Sequence, residues 1–145
     1  ASSLINNVVD GFGGIRIGVH ICRGNWSRNE ATLLRGGYDP LKKYIDTINV
    51  GQMVLEYATE RAGDLIGFEG KEIGLGVVNP RSSTVESLAQ IRGEINKALE
   101  IYPVDKIWIN PDCGFFAVPR WLAIKKLNSM AAGTQLVRKE LTEEK

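Results

Sequence analysis

The chain has one histidine and two cysteines, and all three stand where an apolar run gives way to turn-forming residues. His20 and Cys22 close the run that begins at Ile15. Cys113 follows Ile107-Trp108-Ile109 inside Asn110-Pro111-Asp112-Cys113-Gly114. A carboxylate is placed in the same way: Glu56 ends Met53-Val54-Leu55, where an unpaired charge would be costly. Residues two apart on a strand point to one side, so His20 and Cys22 share a face. Three strand ends thus offer an imidazole, two thiols and a carboxylate to one rim, which is the donor set tetrahedral zinc prefers. The carboxylate is the weakest of these donors for a borderline-soft metal, and is the one expected to yield to an incoming thiol.

Plainer readings exist for each residue alone. A single histidine at a strand end is usually just hydrogen-bonded, and cytosolic cysteines often serve as small core residues. Glu56 could form a buried ion pair with Arg61 or Arg23. What joins the four is position: every cysteine and the only histidine fall at strand ends on one face.

The elements that must position these residues follow from periodicity. Residues 4–9 have helical spacing and stop at Gly11. Strands are expected at 15–20, 52–57, 71–78 and from Ile107 to the break at Pro111, which cannot serve a central ladder. A polar loop leaves the first strand and reaches Gly37, a length typical of binding loops. Asp39-Pro40 predicts a helix start with Leu41, Tyr44, Ile45 and Ile48 on its apolar face. A short helix is expected at 64–68. Ser83-x-x-Glu86 reads as a capping box ahead of a helix carrying Val85, Leu88, Ile91, Ile95, Ala98 and Leu99. The last helix runs from about Pro119 through Leu122, Ile124, Leu127 and Met130 towards Leu141. Trp108 reads as core.

Strand and helix alternating four times is the grammar of a parallel α/β sheet, and residues 1–145 form a single domain of four consecutive βα units. The count fits a small open sheet or half of an eight-stranded barrel. A free half-barrel leaves two open edges, so a missing half-barrel or a second copy is expected to supply the remaining strands. The chain begins without Met and in mid-helix, which points to a fragment or a processed product.

Other features of the sequence carry less. Gly74-x-Gly76 lies inside a strand, which rules out a dinucleotide-binding turn. Gly36-Gly37 reads as a turn, and Trp26, Arg23 and Arg28 as a solvated loop or a substrate gate. Arg81 and Arg120 could each hold a carboxylate.

Bulk properties narrow the class. The net charge is +1 with mixed signs, so no basic stripe points to nucleic acid. No run of eighteen apolar residues points to a membrane span, and the first residues lack a signal-peptide pattern. Two cysteines are too few for a disulfide framework, and the expected compartment is cytoplasmic.

Asn110-Pro111-Asp112-Cys113-Gly114, preceded by Asp105-Lys106-Ile107-Trp108-Ile109, resembles the carboxyl-terminal part of the cobalamin-independent methionine synthase family. Ile17-Gly18-Val19-His20-Ile21-Cys22, Leu55-Glu56-Tyr57 and the Val85-Glu86 helix start are similar to the same family, and the likeness runs nearly the whole length. It implies a TIM-type (β/α)8 barrel of which this chain is the zinc-bearing half. It also implies that His20, Cys22, Glu56 and Cys113 are the ligands of Zn2+, and that homocysteine is methylated on sulfur to give methionine. Asp112 becomes a candidate to orient the ligands. Folate-using members carry a histidine where Val78 or Asn79 stands here, so methyltetrahydrofolate or a methyl-corrinoid is implied as donor. Two other readings remain: a truncated, catalytically silent zinc-binding fragment, and a related barrel methyltransferase acting on another thiol.

Overall fold

The computed structural model describes residues 2–143. Four strands, β1 (Gly18–Ile21), β2 (Gln52–Glu56), β3 (Glu72–Val78) and β4 (Ile107–Pro111), form one sheet in the order β1-β2-β3-β4. Every neighbouring pair is parallel. Strands that follow one another in both sequence and space, each return being made by the intervening chain, give a singly wound α/β arrangement. The helices are α1 (Ser2–Val9), α2 (Lys42–Ile45), α3 (Leu88–Leu99) and α4 (Arg120–Glu143), with short 3-10 turns between them.

The register divides the sheet into two unlike faces. Val19, Met53, Ile73 and Ile107 lie in one row, and Ile21, Leu55, Leu75 and Ile109 in the next row on the same face. Ile45 of the α2 turn, Ile91, Ile95 and Ala98 of α3, and Val137 of α4 pack with these residues as one core. The opposite face carries His20, Val54, Gly74 and Trp108 in one row. Trp108 is 44% exposed there, with the Arg16 guanidinium over its ring at 4.4 Å. It is not a core residue: alternation turns it away from the helices.

Several boundaries differ from the sequence reading. Residues 64–68 form no helix; the helical turn in that connection is a 3-10 segment at Glu60–Ala62. The capping box belongs to Ser87 and Gln90, whose side chains satisfy each other's backbone amides. Glu86 instead accepts from the Asn79 amide at 2.9 Å and pairs with Lys126. Leu88 of α3 and Ile124 and Leu127 of α4 are exposed, while α4 buries Leu122 as expected and with it Lys126, Gly133 and Val137. A lysine on the buried stripe displaced the apolar phase that leucine spacing suggested. Pro111 pairs with Val78 within β4, which is tolerated because β4 is an edge strand.

Candidate metal centre

His20, Cys22, Glu56 and Cys113 meet at the carboxyl ends of β1, β2 and β4, and one donor atom from each lies within 4.8 Å of every other. Donors held 2.0–2.3 Å from a central ion in a tetrahedron stand roughly 3.3–3.8 Å apart. The cluster therefore needs only a small inward movement to close on a cation. The residues present fit zinc by chemistry as well as by spacing.

Two ties across the sheet bring the strand ends together. The Tyr38 hydroxyl donates to the Ile21 carbonyl and accepts from the Glu56 amide, each at 3.1 Å. It thereby joins the residues beside Cys22 to Glu56 itself. Asp112 joins the other side: its Oδ1 accepts from the Tyr57 and Ala58 amides, both at 3.0 Å. That reach passes over β3 at Gly76, where a Cβ would lie 2.2 Å from Asp112 Oδ1 and 2.8 Å from the Leu55 carbonyl. Glycine at this point is what lets β4 grip the end of β2.

Asp112 does not orient the ligands directly. Its Oδ2 is buried without a partner, and desolvation pushes its carboxyl up to about 7, against the opposing effect of the Ala58 and Tyr57 amides. The histidine is oriented by a backbone carbonyl instead: His20 Nδ1 lies 2.9 Å from the Val54 oxygen. A carbonyl accepts only, so Nδ1 carries a proton there, and Nε2 faces the cluster, 4.0 Å from Glu56 Oε1. A metal-ligating histidine is commonly fixed this way.

Glu56 is nearly inaccessible and both its oxygens are engaged. Arg61 Nη2 donates to Oε2 at 2.7 Å, and Asn25 Nδ2 to Oε1 at 2.6 Å. The buried ion pair considered above is thus present with Arg61, alongside the cluster rather than in place of it. Arg23 is turned to the Tyr38 ring, 5.0 Å from its centroid. The Gly24 amide donates to Cys22 Sγ at 3.3 Å. Desolvation raises the Cys22 thiol above its ordinary range, and the neighbouring Glu56 raises it further, while the Gly24 amide opposes both. Deprotonating that thiol calls for a cation beside it.

The remaining candidates fall outside the cluster. Arg81 is buried and holds Asn25 Oδ1, the Ser27 carbonyl and Glu30, so it binds protein and not a free carboxylate. Arg120 is exposed. Arg28 donates to the Ala117 carbonyl and so bridges the loops after β1 and β4. The sequence gives no role to Asn25 or Tyr38, and it places Gly76 only as part of a Gly-x-Gly inside a strand. Polarity gives loop residues no address, and nothing in the spacing after Cys22 marks Asn25 as buried.

Comparison with known proteins bears on this geometry. Residues 13–135 match the family model described as the cobalamin-independent synthase catalytic domain. The chain belongs to that family. The methionine synthase of Saccharolobus solfataricus is 35% identical over 137 residues, covering 94% of this chain and 39% of that one. The methionine synthase of Pyrococcus horikoshii is 36% identical over 147 residues, covering 99% and 40%. A B12-independent methionine synthase from Shewanella sp. W3-18-1, solved with selenomethionine, superposes with a TM-score of 0.83 at 21% identity, over 97% of this chain and 43% of that one. This chain therefore spans about two-fifths of the length of the relatives it matches, and its four parallel strands with their helices have the fold of the corresponding part of a TIM-barrel enzyme. No helix among the described residues is long and apolar enough to cross a membrane.

Proposed function

We propose that this chain carries the zinc-binding part of a methyltransferase that places a methyl group on the thiol of homocysteine to form methionine. The observation that carries the reading is the convergence of His20, Cys22, Glu56 and Cys113 from three strands within a chain of this family. Bound zinc would lower the pKa of a coordinating substrate thiol and so supply a thiolate near neutral pH.

The chain's own residues prepare that site. His20 is held with Nε2 towards the cluster, and the two cysteines come from opposite edge strands. Glu56 is ion-paired to Arg61, which draws charge from the carboxylate and makes it the weakest competitor for a metal position. A substrate sulfur is therefore expected to replace Glu56, which keeps its Arg61 and Asn25 bonds when it withdraws.

The methyl donor is read as methyltetrahydrofolate or a methyl-corrinoid. Val78 is buried and the Asn79 side chain accepts from the Arg81 amide at 3.0 Å. Neither offers a proton to a departing nitrogen, which favours a donor that needs none. Homocysteine's remaining contacts, and the strands that pair with the open edges of β1 and β4, would come from the rest of a barrel or from a second copy.

Zinc content of the purified chain, measured with and without homocysteine and combined with zinc-edge absorption, tests the reading. One zinc with two sulfur neighbours, rising to three with homocysteine, is the expected result. Cys113→Ala should weaken zinc binding at least a hundredfold by chelator competition, since it removes a direct ligand and not an outer-shell partner. A chain that binds no zinc would overturn the assignment. Zinc with a shell indifferent to homocysteine would favour a catalytically silent fragment, and a response to a different thiol would favour a related methyltransferase.

A further inference from the structure

We propose that Asn25 is a positioning residue of the metal centre, holding Glu56 and Cys22 in ligand geometry through one buried amide. Asn25 is 3% exposed and lies three residues beyond Cys22. Its carboxamide has one orientation compatible with its neighbours. Oδ1 faces Arg81 Nε at 2.8 Å and Arg61 Nη2 at 3.3 Å. Guanidinium groups donate only, so the oxygen must lie on that side and the amide nitrogen on the other. Nδ2 is thereby aimed at Glu56 Oε1, 2.6 Å away, and at Cys22 Sγ, 3.7 Å away.

One side chain therefore touches two of the four donors, which come from different strands. Its chemistry suits the position. A neutral N–H donor stabilises a carboxylate and a thiolate together, where a cation would compete with the metal and a second anion would repel both. Arg61 holds the other oxygen of Glu56, so the two contacts fix the plane of the carboxylate and decide that Oε1 is the oxygen facing the cluster. The anchor reaches further: Arg81 is held by Glu30 and by the Ser27 carbonyl, which ties the loop after β1 to the start of the connection after β3. The outer support of the centre thus lies in a loop whose sequence shows no metal-binding pattern.

This inference rests on the zinc reading given above, and the experiment separates the two. Zinc affinity and the zinc-edge spectrum are compared for the wild-type chain, Asn25→Ala and Asn29→Ala. Asn29 caps the 3-10 turn Glu30–Thr32 in the same loop through the Ala31 amide and touches no donor, so it reports general loosening of the loop. Asn25→Ala is expected to weaken zinc about 10–100-fold, the usual effect of losing an outer-shell partner, and to blur or remove the oxygen contribution of Glu56. Asn29→Ala is expected to bind zinc as the wild type does. Should the alanine variant fail to fold, the isosteric Asn25→Asp replaces it; it keeps an acceptor towards Arg81 and Arg61 but has no N–H to give Glu56 Oε1, so the oxygen contribution of Glu56 should again blur or vanish. Wild-type affinity and spectrum in the folded Asn25 variant, or equal weakening in Asn29→Ala, would overturn the role of Asn25 and leave the metal centre standing. Absence of zinc from the wild-type chain would overturn both.

Discussion

Gly76 shows how much of the centre depends on a side chain that is not there. The Asp112 carboxylate crosses β3 at this residue to hold the Tyr57 and Ala58 amides. A Cβ at Gly76 would meet both Asp112 Oδ1 and the Leu55 backbone at impossible distances, and neither neighbour is the free end of a flexible chain. Gly76→Ala should therefore cost about 3 kcal/mol or more, combining overpacking with loss of charge-assisted hydrogen bonds. Denaturant unfolding of the metal-free chain measures this. Zinc affinity should fall with it, because Glu56 and Cys113 are the donors joined by that grip. Near-wild-type values would show that the end of β2 is held by Tyr38 alone. At this scale the clustering of His20, Cys22, Glu56 and Cys113 was legible because imidazole, thiol and carboxylate each have few uses at a strand end. Their supports were not legible. Asparagine, tyrosine and glycine serve so many purposes that only spatial neighbours tell Asn25, Tyr38 and Gly76 from ordinary loop and strand residues.

Among the elements, short apolar and β-branched runs bounded by turn formers announced all four strands, and the boundaries moved by three residues or fewer. The helices were less faithful, and α4 shows why. Leu122, Ile124, Leu127 and Met130 suggest an apolar face, yet the buried stripe runs through Leu122, Lys126 and Gly133. Lys126 is fully buried, with its ammonium on both Glu86 oxygens and on the Thr84 carbonyl. Gly133 is placed where a Cβ would lie 2.7 Å from the Ile91 side chain, so α3 and α4 approach closely there. An ionic latch and a missing side chain, together with Leu122 and Val137, set the phase of the helix. Because Glu86 also receives the Asn79 amide, the latch holds the connection after β3 from which Arg81 reaches Asn25. Lys126→Met is expected to destabilise the chain by about 3 kcal/mol, since it leaves a largely buried carboxylate unpaired. The double variant with Glu86→Gln should cost less than the sum of the two single changes. Additive costs in thermal or denaturant unfolding would show that the two residues do not act as a pair.

Taken as a whole, the molecule is a sheet finished on one side. Its helices cover the face bearing Met53, Leu55, Ile73 and Leu75, while the face bearing His20, Val54 and Trp108 is left more open. Among the described residues, β1 and β4 each have an edge with no strand beside it. The same rows were foreseeable from strand alternation, but which face would be covered was not: both carry apolar residues, and the choice depends on where the crossovers run. The clustered side chains of His20, Cys22, Glu56 and Cys113 lie on the open face and at its rim, so whatever closes that face also closes the site. Parallel edges of this kind template further pairing, and the relatives, more than twice as long, have the chain length to satisfy them internally. The 145-residue chain on its own is therefore expected to self-associate at micromolar concentration, seen as a mass above that of one chain in sedimentation or light scattering. Trp108→Lys should reduce that association, because it sets a charge on an edge strand, and it should do so with little loss of stability, since Trp108 is half exposed and outside the core. Adding the remaining barrel segment of a relative should compete with self-association if both use the same edges. A wild-type chain that stays monomeric at high concentration would show instead that the edges of β1 and β4 are protected as they stand, and that the open face needs no further strands to remain in solution.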